Sequence, residues 1–439
     1  MGHEQHTRGN DARAPLRRDA TNSGKEKVMG NGNDTYTEVT STGWFARIGN
    51  SLKGIGTGVV LIIAATALLW WNEGRAVRTG DAIAEARMVT EPLPDPDRVD
   101  SAADGKLVYA RGRAVTRDDL TDPEFGITVN AIAMRRQVEY YQWVERSASE
   151  TRTKPGGGEE TVTTYTYAKE WAAAPVDSQR FRNAGGHENS VRLQTGDARW
   201  LAPHVTFGAY RLPEFLIRAI GGENALPLSL GDEQRAALQK ALLAPDASRA
   251  ASPDPDPRDD GMIHALGNTL YIGHHPGAPA IGDVRVRYFA TPAADVSLIA
   301  SVSGDTFVPF RASNGTSFSR LAMGARDMDA MFDDASDGNA LMAWLLRIAG
   351  LLLCTAGFRG LLAPLRVLAD VIPPLGVIVG AGTGLVAGLL GAAWSLVIIA
   401  LAWLRFRPVT ALCLLGAALA LVILLYIRGR VRKAPPASA

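Results

Sequence analysis

Three histidines come closest, in type and spacing, to the residues of a metal site. His274 and His275 are adjacent in "YIGHHPGAPAIGD", and His264 precedes them by one short segment. A catalytic zinc site uses three protein ligands, as in the HExxH motif, and no such motif accompanies these histidines. The proline and glycine residues after His275 instead favour a turn before a strand. The sequence therefore predicts no bound metal.

A glycine-rich segment has the spacing of a nucleotide-binding loop. It reads "GAGTGLVAG" from Gly380 and lies inside Pro373–Leu404, which contains no charged residue. A dinucleotide-binding loop follows a strand and is followed by an acidic residue, so this segment does not fit. The chain also lacks a GxSxG motif, a phosphate-binding loop and a recognisable nucleophile–base pair. We therefore predict that the protein is not an enzyme and has no cofactor.

The first long apolar segment ends in "WWNEGR", where the chain is predicted to leave the membrane. Indole rings favour the membrane interface, and glycine permits a helix end or a sharp turn. The short turn before the last apolar segment is predicted at the same membrane face, so Glu73 is predicted to pair with Arg405 or Arg407. An ordinary polar exit without an ion pair is the alternative. The junction comprises Trp70, Trp71, Asn72, Glu73, Gly74 and Arg75.

A row of glycines recurs every four residues in the third apolar segment. Residues four apart lie on nearly the same face of a helix, so the row predicts a groove without side chains. Small residues allow close approach of helices in lipid. The groove is predicted to seat either the first or last span of the same chain, or the same helix of a second subunit. The row consists of Gly376, Gly380, Gly384 and Gly388.

Four apolar segments indicate membrane-spanning helices, because about twenty apolar residues in a helix cross a bilayer. Residues 41–71 comprise an interfacial lead-in and the first span. Arg347 and Arg359 interrupt the second segment, so an interfacial helix is the alternative there. The third is too long for one perpendicular crossing and is predicted to tilt or break. The second, third and fourth spans are predicted at 341–363, 373–404 and 409–427.

The remaining segments complete the predicted fold. Residues 1–40 are polar and predicted to be a disordered cytoplasmic tail. Residues 428–439 form a basic tail, so the positive-inside rule places both termini in the cytoplasm and 72–340 outside. Two strands in 72–340 are predicted to form an antiparallel hairpin around a flexible loop, "SASETRTKPGGGEE". The fold class is an integral membrane α-helical protein with four spans and a large mixed, mostly β extracytoplasmic domain.

Six short phrases lie in order within residues 44–430. They are "NEGRAVRT" (Asn72–Thr79), "VEYYQWVE" (Val138–Glu145), "YTYAKEW" (Tyr165–Trp171), "GDVRVRY" (Gly282–Tyr288), "VPF" (Val308–Phe310) and "RPVTAL" (Arg407–Leu412). Together they resemble the transmembrane protein 43 (LUMA) family. The resemblance implies a four-span membrane protein with one large non-cytoplasmic domain.

The resemblance also implies a kind of function. Eukaryotic members are associated with the endoplasmic reticulum and the inner nuclear membrane, with self-association and with binding of lamina-linked membrane proteins. The resemblance supplies no catalytic residues. The composition, rich in arginine and alanine, is typical of a bacterial chain, so we expect a bacterial-type member in the cytoplasmic (inner) membrane, where no nuclear lamina exists.

The sequence favours a membrane scaffold over the other classes of function. The formal net charge of +1 argues against a nucleic-acid partner. Transporters place ionisable residues or broken helices at mid-membrane, and the third and fourth apolar segments contain no acidic or basic residue. We therefore predict a non-enzymatic homo-oligomer in the lipid bilayer that binds an unknown membrane or envelope protein. A transporter or pore is the alternative, and a membrane enzyme is the least favoured.

Overall fold

The computed structural model of the chain describes residues 25–28, 34–242, 262–409, 411–413 and 416. The predicted fourth span, 409–427, lies almost wholly outside these residues, and the predicted basic tail, 428–439, lies wholly outside them. The helices are α1 (Trp44–Val89), α2 (Glu214–Ile217), α3 (Asp232–Leu242), α4 (Met328–Ala369) and α5 (Pro373–Phe406).

The remaining described chain is organised around twenty strands, so the mostly β character of the domain between the helices is confirmed. The strands are β1 (Lys25–Val28), β2 (Thr35–Thr42), β3 (Glu91–Pro92), β4 (Leu107–Thr116), β5 (Asp119–Thr121), β6 (Thr128–Asn130), β7 (Ala133–Thr153), β8 (Glu159–Ala172), β9 (Ala198–Leu201), β10 (Val205–Phe207), β11 (Tyr210–Arg211), β12 (Asn224–Ala225), β13 (Ile263–Leu266), β14 (Thr269–Ile272), β15 (Val284–Thr291), β16 (Ala294–Ser303), β17 (Thr306–Val308), β18 (Phe310–Arg311), β19 (Ser317–Phe318) and β20 (Arg320–Met323).

Helices α1, α4 and α5 pack together as a three-helix bundle. Among the described residues these are the three helices long and apolar enough to cross a membrane. The predicted segments 54–71, 341–363 and 373–404 lie inside them, and α5 is continuous from Pro373 to Phe406 rather than broken. Glycines bring α1 and α4 close together: a Cβ atom at Gly357 would lie 2.8 Å from the carbonyl oxygen of Gly58. This backbone-to-backbone contact is the packing that small residues allow.

Helix α1 does not end at the membrane junction, as the sequence suggested it could. It continues through Gly74 to Val89, and α4 likewise begins well before the second apolar segment. At 1.5 Å per residue, α1 is about 69 Å long, more than twice the thickness of a hydrocarbon core. The helices therefore extend from the apolar bundle into the β domain.

The larger sheet of the β domain has nine strands in the order β1-β2-β8-β7-β15-β14-β13, with β9 and β12 attached to β7 and β15. The predicted hairpin is confirmed as the antiparallel pair β7–β8, with Tyr141 opposite Trp171 and their ring centroids 5.2 Å apart. The predicted long flexible loop is wrong. The strands extend to Thr153 and from Glu159, because serine and threonine pair across the hairpin, as at Ser149 and Thr163.

The smaller sheet has seven strands, and five of them close into a ring. Strand β16 pairs with both β17 and β4, and β11 and β10 complete the circuit between those two. Phe207 and Phe307 fill the interior together with Tyr210, all three fully buried. Gly112 of β4 leaves space for one of these rings, because a Cβ atom there would lie 2.9 Å from Phe207.

The predicted disorder of residues 1–40 is wrong for the part that the structure describes. Residues 35–42 form β2 and pair with residues 159–166 of β8. The segment "TYTEVTST" is rich in β-branched and aromatic residues, which favour a strand once a neighbouring edge is present. Residues 1–24 and 29–33 lie outside the described residues.

The tip of the β7–β8 hairpin contacts the start of α1. Arg47 donates a hydrogen bond to the carbonyl oxygen of Gly157 at 2.5 Å and pairs with Asp370, just beyond α4, at 2.6 Å. The predicted topology put Arg47 in the cytoplasm and the hairpin outside. The structure instead places the hairpin tip beside Arg47, at the end of α1 opposite the residues that pack into the β domain.

Candidate interhelical charge site

The side chains of α1, α4 and α5 converge on one buried carboxylate. Glu73 of α1 is fully buried. Arg347 of α4 donates to both of its oxygens, with Nε–Oε1 at 2.7 Å and Nη2–Oε2 at 2.8 Å. Trp403 of α5 donates from Nε1 to Oε2 at 2.8 Å. We call Glu73, Arg347 and Trp403 the junction clamp, because these three side chains join the three long helices.

Polar side chains next to the clamp form hydrogen bonds between α1 and α4. Asn72 donates to the carbonyl oxygen of Ala343 at 3.0 Å. Arg75 donates to the side-chain oxygen of Asn339 at 3.0 Å, and Asn339 donates back to the carbonyl oxygen of Ala76 at 2.9 Å. These contacts fix the register of one helix against the other.

Aromatic rings enclose the clamp. The guanidinium of Arg347 lies 5.0 Å from the ring centre of Trp344 and 6.0 Å from that of Trp403. Phe406 contacts Trp70 with ring centres 5.7 Å apart, and Gly74 makes room for Phe406, because a Cβ atom there would lie 2.8 Å from its ring. Gly74 therefore serves close packing of α1 against α5 rather than a turn.

The geometry of the clamp suits a structural role. A buried charge is costly unless it is paired and its hydrogen-bonding capacity is satisfied, and bidentate Arg–carboxylate contacts are the strong form of such pairs. A cavity of about 320 Å³ lies beside the clamp. It is lined by Ala76, Ser336, Asn339, Ala340, Ala343, Trp344, Arg347 and Arg407.

The structure changes the predicted partner of Glu73. The predicted partners were Arg405 and Arg407, but the carboxylate pairs with Arg347 instead. Arg407 lines the neighbouring cavity, and Arg405 lies 5.7 Å from the ring centre of Phe406. The available signal was Arg347 itself, because an arginine within an apolar segment is stabilised by a buried acid; we took it as an interruption of that segment rather than as a partner of Glu73.

The glycine row of α5 faces α4, where most of the side chains that it contacts are polar. Gly376 lies against Asp370, and a Cβ atom at Gly380 would lie 3.1 Å from Nε of Arg366. A Cβ atom at Gly388 would meet nothing within 4 Å. The backbones of α4 and α5 approach instead at Gly391, which is off the row, because a Cβ atom there would lie 2.9 Å from Cα of Thr355. Among the described residues the row therefore contacts α4 rather than the predicted first span, and the predicted last-span seat lies almost wholly outside the described residues.

The histidines considered as metal ligands lie in and beside the turn between β14 and β15. His264 Nε2 lies 3.1 Å from the carbonyl oxygen of Gly273, and the backbone oxygen of His275 accepts a hydrogen bond from Tyr271. Over residues 34–242 and 262–409, no three His, Cys, Asp or Glu side chains are grouped so that they could hold a metal ion.

The β domain also contains buried charges that are paired. Asp122 accepts hydrogen bonds from Arg136 at 2.8 Å and from Tyr288 at 2.7 Å. Burial, and then the hydrogen bond to Asp122, raises the pKa of the Tyr288 hydroxyl above its usual range. Burial and a hydrogen bond to Asp283 raise the pKa of Tyr271 in the same way. Both tyrosines therefore keep, at neutral pH, the hydroxyl proton that they donate to the carboxylate.

Similarity to known proteins shows which family this chain belongs to. The family model described as "Transmembrane protein 43" matches residues 140–408. The protein of that name from Rattus norvegicus is 30% identical over 425 residues, covering 94% of this chain and 97% of the relative. This chain belongs to the transmembrane protein 43 family.

Two further relatives extend the family across animals. Transmembrane protein 43 from Homo sapiens is 29% identical over 402 residues, covering 89% of this chain and 93% of that protein. The homolog from Drosophila melanogaster is 28% identical over 366 residues, covering 82% and 90%. No solved structure matches. The transmembrane protein 43 family match spans Arg347 and Trp403 of the clamp but starts after Glu73.

Proposed function

We propose that this protein is a non-enzymatic membrane scaffold that self-associates and binds protein partners through its β domain. The observation that carries the proposal is the continuity of α1 and α4 from the apolar bundle into the domain. Ile83 and Ala86 of α1 pack with Met331 and Phe332 of α4 and with Ile299 of β16 in one buried cluster. The junction clamp holds these helices together where they leave the apolar bundle.

Rigid coupling favours a scaffold over a transporter. Transporters commonly bind their substrate at discontinuous helices near the middle of the membrane, where helix ends face the substrate. Helices α1, α4 and α5 are each continuous, and Glu73, the fully buried acid of the bundle, has both oxygens occupied by Arg347 and Trp403. A carboxylate held in this way is poorly suited to exchange a proton or an ion.

Partner binding is supported by an open edge of the larger sheet. Strand β13 ends the hydrogen-bonded order of that sheet among the described residues. Its backbone groups can pair with an extended segment of a partner, and Leu266, half exposed, offers an apolar contact beside them. The proposed location is the cytoplasmic membrane of a bacterium, on the basis of composition.

Energy transfer between donor-labelled and acceptor-labelled chains in liposomes tests self-association. A scaffold oligomer keeps its energy transfer when the lipid is diluted several-fold, because the chains stay in contact. Energy transfer that falls in proportion to lipid dilution would show that the chains are monomers and would overturn the proposal of self-association. The same liposomes loaded with ions test the alternative, since a transporter or pore releases them and a scaffold does not.

A further inference from the structure

A polar cavity lies between α4 and α5 at the end of the bundle opposite the clamp. Its volume is about 230 Å³. Its lining consists of Arg359, Leu362, Ala363, Arg366, Gly380, Thr383 and Gly384. A Cβ atom at Gly384 would lie 3.6 Å from Nη2 of Arg359. The glycine row therefore leaves the space across which the two guanidinium groups lie.

The two arginines of this cavity carry uncompensated charge. Arg359 and Arg366 are exposed, and neither side chain forms a salt bridge or hydrogen bond within the described part of the chain. Asp370 is already paired with Arg47 at 2.6 Å. From Val409 onward the sequence contains no aspartate or glutamate, so that segment adds no acidic side chain. The cavity thus has cationic donors without a described acceptor.

The depth of Arg359 makes this unpaired charge informative. It lies seven residues before Arg366, about 10 Å further along α4 into the apolar bundle. A guanidinium at such depth is costly in hydrocarbon unless water or an anion reaches it. Its planar fork can donate two parallel hydrogen bonds to phosphate oxygens, and basic pockets between membrane helices attract anionic headgroups.

We propose that this cavity binds the phosphate of an anionic phospholipid headgroup, with Arg359 and Arg366 as the donors. Leu362 and Ala363 supply an apolar wall for the acyl chain, which a free phosphate ion would leave unused. The hydroxyl of Thr383 donates to the carbonyl oxygen of Val379 at 2.8 Å, so it orients the cavity wall rather than the ligand. Binding does not depend on the scaffold role.

Thermal unfolding of the full chain in detergent tests the ligand class. Phosphatidylglycerol should raise the melting temperature in a saturable way, while phosphatidylcholine and inorganic phosphate should not. An equal shift with phosphatidylcholine would mean that the headgroup charge is not recognised. An equal shift with inorganic phosphate would assign the cavity to a free anion. Either result would overturn the proposal.

Substitutions of the two arginines test whether they bind the headgroup. Arg359→Gln and Arg366→Gln should each weaken the apparent affinity for phosphatidylglycerol about fivefold. Lys53→Gln is the matched control, because it removes an exposed charge at the same end of the bundle but outside the cavity. Unchanged affinity in both arginine variants would contradict the assignment.

Two glycine substitutions and a direct binding measurement test the proposal even if the arginine variants fail to fold. Gly384→Leu should block binding with all charges kept, whereas Gly382→Leu, which has nothing within 4 Å, should not. If these variants fail to fold, native mass spectrometry of the natural chain in mixed lipids decides. Preferential retention of phosphatidylglycerol supports the proposal, and equal retention of phosphatidylcholine overturns it.

Discussion

At the scale of single residues, the buried ion pair of the β domain should matter far more than an exposed one. Asp122→Ala leaves Arg136 with the partly exposed Glu124 as its remaining ion-pair partner and Tyr288 without its acceptor, and removing one member of a buried pair costs about 3–5 kcal/mol. The exposed pair Asp305–Arg211 is the control, and Asp305→Ala should cost under ~1 kcal/mol. Urea unfolding of both variants measures this. Similar losses would contradict the burial argument.

Buried tyrosines predict the response of the domain to alkali. Burial and hydrogen bonds to carboxylates raise the pKa of Tyr288 and Tyr271 in the folded state, while an unfolded tyrosine titrates near ~10. The folded chain therefore binds more protons above that pH, and stability falls as pH rises. Tyr288→Phe should lose less stability between about pH 9 and 11 than the natural chain. Tyrosinate absorbance and circular dichroism follow the change; equal losses would contradict it.

At the scale of elements, the close helix contacts predict which glycines matter. Gly58→Leu and Gly357→Leu should strongly lower the melting temperature in detergent, because each Cβ atom would lie under 3 Å from atoms of the facing helix. Gly388→Leu and Gly382→Leu should be mild, because nothing lies within 4 Å of either. If the two sets melt alike, the contact between α1 and α4 does not hold the bundle together.

The glycines also show what the sequence could predict. Spacing alone identified small residues in a long apolar helix, and the three described apolar helices are where the pattern put them. It could not say which row meets another backbone, because the partner of Gly58 is about three hundred positions away in the sequence. The same limit applies to Glu73: its need for a cation was readable, but choosing Arg347 over Arg405 requires the relative depth of two helices.

Strand β2 illustrates a similar limit. Its residues are mostly polar, and the strand is stabilised by pairing with β8 on one side and β1 on the other. The mostly β domain and the β7–β8 pairing could be predicted, because apolar and polar residues alternate along single segments. Boundaries of disorder, and the reach of the hairpin towards α1, depend on contacts between segments far apart in the chain.

At the scale of the whole molecule, the contact between the hairpin tip and α1 predicts membrane sidedness. Single cysteines at Ser149 and Asn50, in a chain lacking Cys354 and Cys413, should label from the same side of the membrane with an impermeant reagent. Arg47 holds Gly157, at the tip of the hairpin that contains Ser149, and Asn50 lies about one turn after Arg47 in α1. Labelling from opposite sides would support the charge-based topology and contradict this contact.

The junction clamp locks α1, α4 and α5 together at the end of the bundle from which α1 and α4 enter the β domain. The most direct measurement is a double-mutant cycle on Glu73 and Arg347, read as melting temperature in detergent. Glu73→Arg and Arg347→Glu should each destabilise strongly, since each leaves like charges buried together, and the double swap should recover much of the loss. We expect a large favourable coupling between the two positions. Additive losses, with no recovery in the double swap, would contradict it.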